Sequence, residues 1–215
     1  MAKTKIVATF GPASEDPSTI QEMVGEGIDC ARINLSHGTK DSHRELVLNL
    51  KRVRSETRSS ISIIADTKGP EVRLVPIEED TVILDEGRRA TIVAKESSGH
   101  GTFLIDYEDI AKLLSEGDQV IIGDGDLSLA VESIEEGVIS CRALNSGEVT
   151  GRKKVTIPGT SFPLPPITEE DREDIEFAVS EGVDWLALSF VKDEGAIKEA
   201  REIIRRVSGE TLPII

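Results

Sequence analysis

The sequence predicts an α/β fold that is built on a parallel sheet and interrupted by a second, mostly antiparallel β domain. Short apolar runs alternate with amphipathic helical patterns up to residue 70 and again after residue 159, with short connections between them. Between these parts, brief β-type runs are separated by glycine-containing turns. We therefore predict an α/β domain over 1–70, an inserted β domain over 71–158, and a continuation of the first domain over 159–215.

The α/β parts contain four apolar runs that are typical of buried strands. They cover residues 6–10, 28–35, 61–65 and 185–190. Asp16 followed by Pro17 predicts the first helix start, residues 41–56 the second helix, and Thr168 with Asp171 the capped start of a third. A fourth helix is predicted to face inward through Ile197, Ala200, Ile204 and Val207.

The inserted part reads as short strands joined by tight turns. The predicted strands are 73–75, 81–84, 89–94, 119–122, 127–132 and 138–143, with one short helix near 107–114. Gly123 to Asp126 lacks the spacing of a calcium loop and predicts a hairpin turn. Residues 161–166 are rich in proline, which predicts a stiff linker back to the α/β domain.

Charge and composition exclude several classes of function. The 215 residues include 40 acidic and 25 basic side chains, a net charge of −15 that would repel nucleic acids. Cys30 and Cys141 are too few for a disulfide framework, which suits a reducing compartment. No apolar run reaches the length of about 20 residues that a membrane span needs, and no signal-peptide core follows the N-terminus. We expect a soluble cytoplasmic protein that does not bind membranes or nucleic acid.

Polar side chains lie at or just beyond the carboxyl ends of three of the predicted parallel strands, with Arg32 and Asn34 on one face within the second of them. They are Arg32, Asn34, Ser36 and His37; Asp66, Thr67, Lys68, Glu71 and Arg73; and Ser189 and Lys192. The carboxyl ends of parallel strands share one face, where α/β folds bind ligands. Arginine is suited to phosphate or carboxylate, and oxygen donors are suited to a hard cation. The residues therefore predict a pocket for a small phosphorylated or carboxylated anion with a cation beside it.

Structural roles account for some of the same residues. Arg32 and Asp66 could form a buried ion pair with no other function, and strand-end Asp and Thr often cap the next element. His37 alone is more often a surface or core histidine. The sequence has no P-loop, no zinc-ligand spacing and no Gly-x-Ser-x-Gly elbow, so the residues by themselves indicate no reaction.

Four segments in order along the chain resemble the successive signatures of pyruvate kinases. They are residues 4–14 (TKIVATFGPAS), 31–38 (ARINLSHG), 66–73 (DTKGPEVR) and 188–192 (LSFVK). The resemblance implies a (β/α)₈ TIM barrel, of which this chain holds the first four βα units, interrupted after the third strand by a small antiparallel β-barrel lid. It also implies phosphoryl transfer from phosphoenolpyruvate to ADP, giving pyruvate and ATP in glycolysis. Magnesium or manganese and potassium would be the cofactors, and the full-length enzyme would be a homotetramer.

The resemblance also implies roles for individual residues. Arg32 would hold the substrate phosphate as the catalytic residue of this chain, and Ser189 would contact substrate. Potassium ligands would be Asn34, Ser36, Asp66 and the carbonyl of Thr67. Nucleotide contacts would be Asn34, Ser36, His37, Arg73 and Lys153.

The sequence near the insertion differs in part from the family pattern. Residues 153–159 read Lys-Lys-Val-Thr-Ile-Pro-Gly where the family usually has Lys-Lys-Gly-Val-Asn-Leu-Pro-Gly, so either Lys153 or Lys154 could be the nucleotide contact. Glu71 resembles the form that marks potassium dependence, whereas Leu74 departs from the residue usual there.

The family's phosphate-binding lysine, its two magnesium ligands and a threonine near the enolate would lie on strands after residue 215. We therefore expect an N-terminal segment with negligible turnover alone. The alternatives are a non-catalytic anion- and potassium-binding relative that acts through a partner chain, and a half-barrel that pairs with another half. The sequence does not specify allosteric effectors, the oligomer of this chain, true potassium dependence, or whether the chain ends naturally at Ile215.

Overall fold

The computed structural model describes residues 4–75, 81–94 and 101–215. The chain divides into two compact units, one formed by Met1–Pro70 with Leu164–Ile215 and the other by Glu71–Pro163. The chain returns to the first unit at Leu164, a few residues after the boundary at 159 that the sequence suggested.

The described residues form twelve strands and five helices. The strands are β1 (Val7–Phe10), β2 (Cys30–Asn34), β3 (Ser62–Asp66), β4 (Thr81–Leu84), β5 (Arg89–Val93), β6 (Thr102–Leu104), β7 (Gln119–Ile122), β8 (Leu127–Glu135), β9 (Val138–Ala143), β10 (Gly147–Thr150), β11 (Val155–Thr156) and β12 (Trp185–Ala187). The helices are α1 (Pro17–Gly25), α2 (Lys40–Thr57), α3 (Ile110–Leu113), α4 (Glu169–Ser180) and α5 (Glu194–Ser208).

The first unit contains a four-stranded parallel sheet in the order β1-β2-β3-β12. Its register pairs Thr9 with Arg32, and pairs Asp66 with both Asn34 and Ala187. The four predicted strands are therefore present, with bounds that differ by one to three residues at their ends. The prediction that all four are buried was wrong for β1, in which only Phe10 is buried, and for Trp185 of β12, which is 38% exposed. Because all four run parallel, their carboxyl ends meet at one edge of the sheet.

Helix starts in this unit follow the predicted capping chemistry. Asp16 caps α1 by accepting the N–H of Ser18, and Pro17 occupies the first turn. Thr168 and Asp171 form a complete capping box at α4. At α2 the cap is Thr39, which shares its capping box with Ser42 and so moves the helix start slightly earlier than predicted.

The core of the first unit lies between its sheet and its helices. The α2 stripe of Leu46, Val47, Leu50 and Val53 is buried there, as its spacing predicted. The inner face predicted for α5 was partly wrong. Ala196 and Ile203 are buried, whereas Ile197 is only half-buried and Val207, in the last turn before the cap, is 39% exposed.

The second unit is mostly antiparallel. A six-stranded sheet has the order β11-β7-β8-β9-β5-β6, in which only β5 and β6 pair in parallel, and β4 pairs with β10 separately. Gly123 to Asp126 form the predicted turn between β7 and β8. The strand predicted at 73–75 is reduced to isolated bridges at Arg73 and Leu74. That this unit closes into a barrel and acts as a lid remains a prediction.

In the part of the chain that is described, no helix is both long enough and apolar enough to cross a membrane.

Candidate functional site

Arg32, in the middle of β2, forms an ion pair with Asp66, the last residue of β3. The Arg32 Nε donates to Asp66 Oδ2 at 2.7 Å, and a terminal guanidinium nitrogen lies 2.6 Å from the same oxygen. Another terminal nitrogen donates to Thr9 Oγ1 at 2.9 Å. The ion pair considered from the sequence is therefore present, and β1 supplies a third member that orients the guanidinium.

This ion pair is not sealed from solvent. The Arg32 side chain is 34% exposed and that of Asp66 is 14% exposed. A guanidinium has five N–H donors, and the contacts to Asp66 and Thr9 do not use all of them. Arg32 is thus held in place on one side while donors remain for an anion on the other.

The second oxygen of Asp66 connects this pair to the end of β12. Ser189 Oγ donates to Asp66 Oδ1 at 3.1 Å, and the Ser189 N–H donates to Thr67 Oγ1 at 3.4 Å. The Thr67 N–H donates to the carbonyl of Ala187 at 3.1 Å. Three of the predicted site residues, Asp66, Thr67 and Ser189, therefore form one hydrogen-bonded group.

The end of β2 and the turn after it place further oxygen atoms, which could act as cation ligands, beside this group. Asn34 pairs in register with Asp66, and its Oδ1 accepts the N–H of Ser36 at 3.1 Å. His37 is exposed, and its carbonyl accepts from Nε2 of the buried His43 at 2.6 Å. Because a carbonyl only accepts, that contact requires the proton of His43 to be on Nε2. His43 therefore fixes the backbone of the turn, while the His37 ring remains at the surface.

The donor set at this edge suits a hard monovalent or divalent cation. Asn34, Ser36, Asp66 and Thr67 offer amide, hydroxyl, carboxylate and carbonyl oxygens. Among the residues described, no three or more His, Cys, Asp or Glu side chains form a group that could hold a metal ion. A cation at this edge would therefore have one carboxylate, that of Asp66, among otherwise neutral oxygens.

The predicted residues of the second unit form their own polar group. The Arg73 Nε donates to Glu71 Oε2 at 2.8 Å, a terminal nitrogen of Arg73 donates to the carbonyl of Arg152 at 3.0 Å, and the Arg73 N–H donates to Asp106 Oδ1 at 2.6 Å. Arg73 is thus oriented by Glu71, which gives Glu71 a structural role in this unit.

Lys153 and Lys154 both make ion pairs with the β7–β8 turn. Lys153 Nζ lies 2.9 Å from Asp126 Oδ2, and Lys154 Nζ lies 2.7 Å from Asp124 Oδ1. The hydrogen bond and charge of Lys154 hold the pKa of Asp124 below its usual value. The two lysines are nearly equally exposed, so their geometry does not decide which one would contact a nucleotide.

Sequence reasoning missed Thr9 and Asp171. Thr9 lies opposite Arg32 in the β1–β2 register, and the alternation of side chains along a strand does not by itself fix that register. Asp171 was considered only as a helix cap, yet it also accepts the N–H of Gly69, far away in the sequence. No local sequence pattern predicts the hydrogen bond between Gly69 and Asp171, because the two residues are 102 positions apart.

Comparison with known proteins places this chain among relatives of known activity. The family model described as "Pyruvate kinase, barrel domain" matches residues 1–215. A pyruvate kinase of Staphylococcus saprophyticus is 34% identical over 218 aligned residues, which cover 100% of this chain and 37% of the relative. Pyruvate kinases of Sporosarcina psychrophila and Staphylococcus aureus are 35% and 36% identical, over 100% and 95% of this chain respectively.

This chain spans little more than a third of the length of the curated relatives that it matches. The match nevertheless runs through the parallel strands and through the ion-paired group at their carboxyl ends. With a family model over its whole length and relatives above 30% identity across nearly all of it, the chain belongs to the pyruvate kinase family.

Proposed function

We propose that this chain provides the phosphate-binding arginine and the potassium ligands of a pyruvate kinase, which transfers the phosphoryl group of phosphoenolpyruvate to ADP. The carrying observation is the Arg32 guanidinium, which Asp66 and Thr9 hold at the carboxyl ends of the parallel strands while part of it stays open to solvent. An oriented arginine of this kind binds phosphate with little cost in side-chain ordering.

The reaction proposed here is governed by positioning and charge. A phosphoryl group in transfer carries negative charge on its equatorial oxygens, and fixed cations around it lower the barrier. Arg32 would supply one such charge. Ser189, whose hydroxyl donates to Asp66, would contact the substrate from the same edge. Potassium would be held by Asn34, Ser36, Asp66 and the Thr67 carbonyl, whose oxygens fit it by donor type.

Magnesium or manganese would be the second cofactor, held by residues outside this chain according to the family resemblance. By the family resemblance, the nucleotide contacts would be Asn34, Ser36 and His37, and also Arg73 and Lys153 or Lys154. The support for Arg73 and the two lysines is their positive charge, and for Arg73 also the orientation that Glu71 imposes on it. The full-length enzyme would act in the cytoplasm as a homotetramer.

Binding of phosphoenolpyruvate to the purified chain tests the role of Arg32. We expect Arg32→Ala to weaken binding about tenfold to a hundredfold, since one charge-assisted hydrogen bond is worth roughly 1.5–3 kcal/mol. The measurement is isothermal titration calorimetry in potassium chloride and again in tetramethylammonium chloride, because the proposal also expects potassium to strengthen binding.

Arg54→Ala is a matched control. Arg54 pairs with Asp184 at 2.7 Å, is exposed to a similar degree, and lies at the opposite, amino-terminal side of β12. Equal affinity of wild type and Arg32→Ala for phosphoenolpyruvate would show that the arginine serves only the ion pair, which is the alternative role open to it.

Turnover is a separate test. We expect the 215-residue chain to form negligible ATP from phosphoenolpyruvate and ADP, because the lysine and magnesium ligands implied by the family are not among its motifs. A coupled luciferase assay with magnesium and potassium measures this. Rates in the ordinary enzyme range, at least about 1 per second, would contradict the expectation.

A further inference from the structure

The first unit is joined to the second by two connections that start close to its secondary structure. The chain leaves the first unit after Pro70, four residues beyond the end of β3 at Asp66, and re-enters it at Leu164, shortly before α4 begins at Glu169. Both connections therefore have short anchored stretches within the first unit, at Gly69 on the outgoing side and at Thr168 on the returning side.

A single carboxylate binds both stretches. Asp171, which is only 2% exposed, accepts the N–H of Gly69 on Oδ1 at 2.8 Å. Its Oδ2 accepts the N–H of Thr168 at 3.0 Å and the hydroxyl of Thr168 at 2.6 Å. A capping box needs only the contacts to Thr168, so the bond to Gly69 is additional to the cap.

Gly69 is held from a second side by the end of β12. Its φ is +74°, and a Cβ at this position would lie 2.6 Å from the carbonyl oxygen of Ser189. Lys68 next to it pairs with Glu170 at 2.6 Å. The segment after Asp66 and Thr67 is therefore packed between the first turn of α4 and Ser189, the residue that also bonds Asp66.

The contact uses both oxygens of the Asp171 side chain as acceptors. Two oxygens that each accept from opposite directions satisfy three donors at once, and a negative charge is favourable in the first turn of a helix. An asparagine has only one accepting oxygen. Facing Thr168, that oxygen keeps two hydrogen bonds, so the NH₂ group would face the Gly69 N–H and the bond to Gly69 would be lost.

We infer that Asp171 is a positioning residue that ties the outgoing and returning connections together and thereby holds Asp66 and Thr67 in place. Its effect on ligand binding rests on the proposed function of the Asp66 group, whereas the tie between Gly69 and Thr168 does not. Neither part requires Asp171 to touch substrate.

Amide hydrogen exchange of the full 215-residue chain, followed by NMR with ¹⁵N-glycine labelling, tests the tie. We expect the Gly69 amide of the wild type to be protected, and its exchange to become at least tenfold faster in Asp171→Asn. Thr168→Ala should leave Gly69 protected, because it removes only the hydroxyl contact. Exchange of Gly69 at the rate of an unprotected peptide in the wild type overturns the inference, and does so even if Asp171→Asn fails to fold.

Asp16→Asn provides the matched control. Asp16 also accepts an N–H and a hydroxyl, both from Ser18, but it caps α1 and contacts neither connection. We expect it to leave Gly69 exchange unchanged. A similar acceleration in Asp16→Asn would mean that Gly69 reports general destabilisation, and would also overturn the inference.

Binding of phosphoenolpyruvate separates the tie from the proposed function. If the wild type binds, Asp171→Asn should bind at least fivefold more weakly while Asp16→Asn binds normally, and equal binding by all three overturns the link to Asp66 and Thr67. If the wild type does not bind, the proposed function fails for this chain, and the exchange of Gly69 still decides whether Asp171 ties the two connections.

Discussion

Asp174 on α4 is a buried carboxyl group with a consequence for stability. It is 7% exposed, and its Oδ2 has no hydrogen-bond partner among the described residues. Burial raises its pKa to about 6 from an ordinary value of 3.8; Lys40 opposes this rise, and the neighbouring acidic residues add to it. The folded state therefore binds this proton more tightly than the unfolded chain does.

The sign of the resulting pH dependence follows from that difference. The contribution of protonated Asp174 to the free energy of unfolding is fully present below about pH 4. It is lost as the pH rises through about 6, and the loss is on the order of 3 kcal/mol. We expect Asp174→Asn to remove this loss, so the variant should gain stability over the wild type between pH 4 and pH 7. Urea unfolding of both proteins at several pH values measures the difference between their free energies of unfolding. A comparison of the two proteins is needed because other carboxyl groups, such as that of Asp29, have lowered pKa values and change the stability of both in the opposite direction. A constant difference between the two proteins across this range would contradict the assignment.

Helix α5 shows how an apolar stripe is used unevenly along its length. The buried side chains are Ala196, Ala200, Ile203 and Ile204, whereas Val207 shares the stripe but lies in the final turn next to the Gly209 cap. We expect Ile203→Ala to lower the free energy of unfolding by about 2–5 kcal/mol, and Val207→Ala to lower it by less than about 1 kcal/mol. Urea denaturation of both variants checks this, and equal losses would show that the inner face extends to Val207 as the sequence suggested.

Elements were predictable from the sequence where local signals were strong. The four parallel strands are apolar runs, and Asp16 with Pro17 is sufficient to mark the start of α1. The short strands β6, β10 and β11 escaped prediction because none of them is a sustained apolar run with turn residues on both sides, and their pairing partners define them.

The candidate site was predictable to a similar extent and for a similar reason. Asp66 ends β3, Ser189 follows β12 by two residues, and Arg32 lies in the middle of β2. Parallel strands bring their carboxyl ends together, so the sequence alone could place these residues near one another. Thr9 depended on the exact register between β1 and β2. Asp171 depended on where α4 returns relative to Gly69, which is a property of the tertiary structure.

At the scale of the whole molecule, each of the two units contains buried apolar side chains. The core cluster that contains Leu50 draws all its buried members from the first unit. Leu129 of β8 is fully buried within the second unit. Since core substitutions act through the side chains that surround the lost atoms, each of these two leucines should support only the unit in which it is buried.

We expect Leu50→Ala to destabilise the first unit, and Leu129→Ala the second, by about 2–5 kcal/mol each, with little effect on the other unit. Hydrogen exchange under increasing urea measures this when β3 amides report on the first unit and β7 amides on the second. Leu48, which is exposed on the same helix as Leu50, provides a control because Leu48→Ala should change neither report. If Leu129→Ala exposed the β3 amides as readily as those of β7, the units would unfold together. The substitution would then act on one cooperative structure, despite the division of the chain into two compact units.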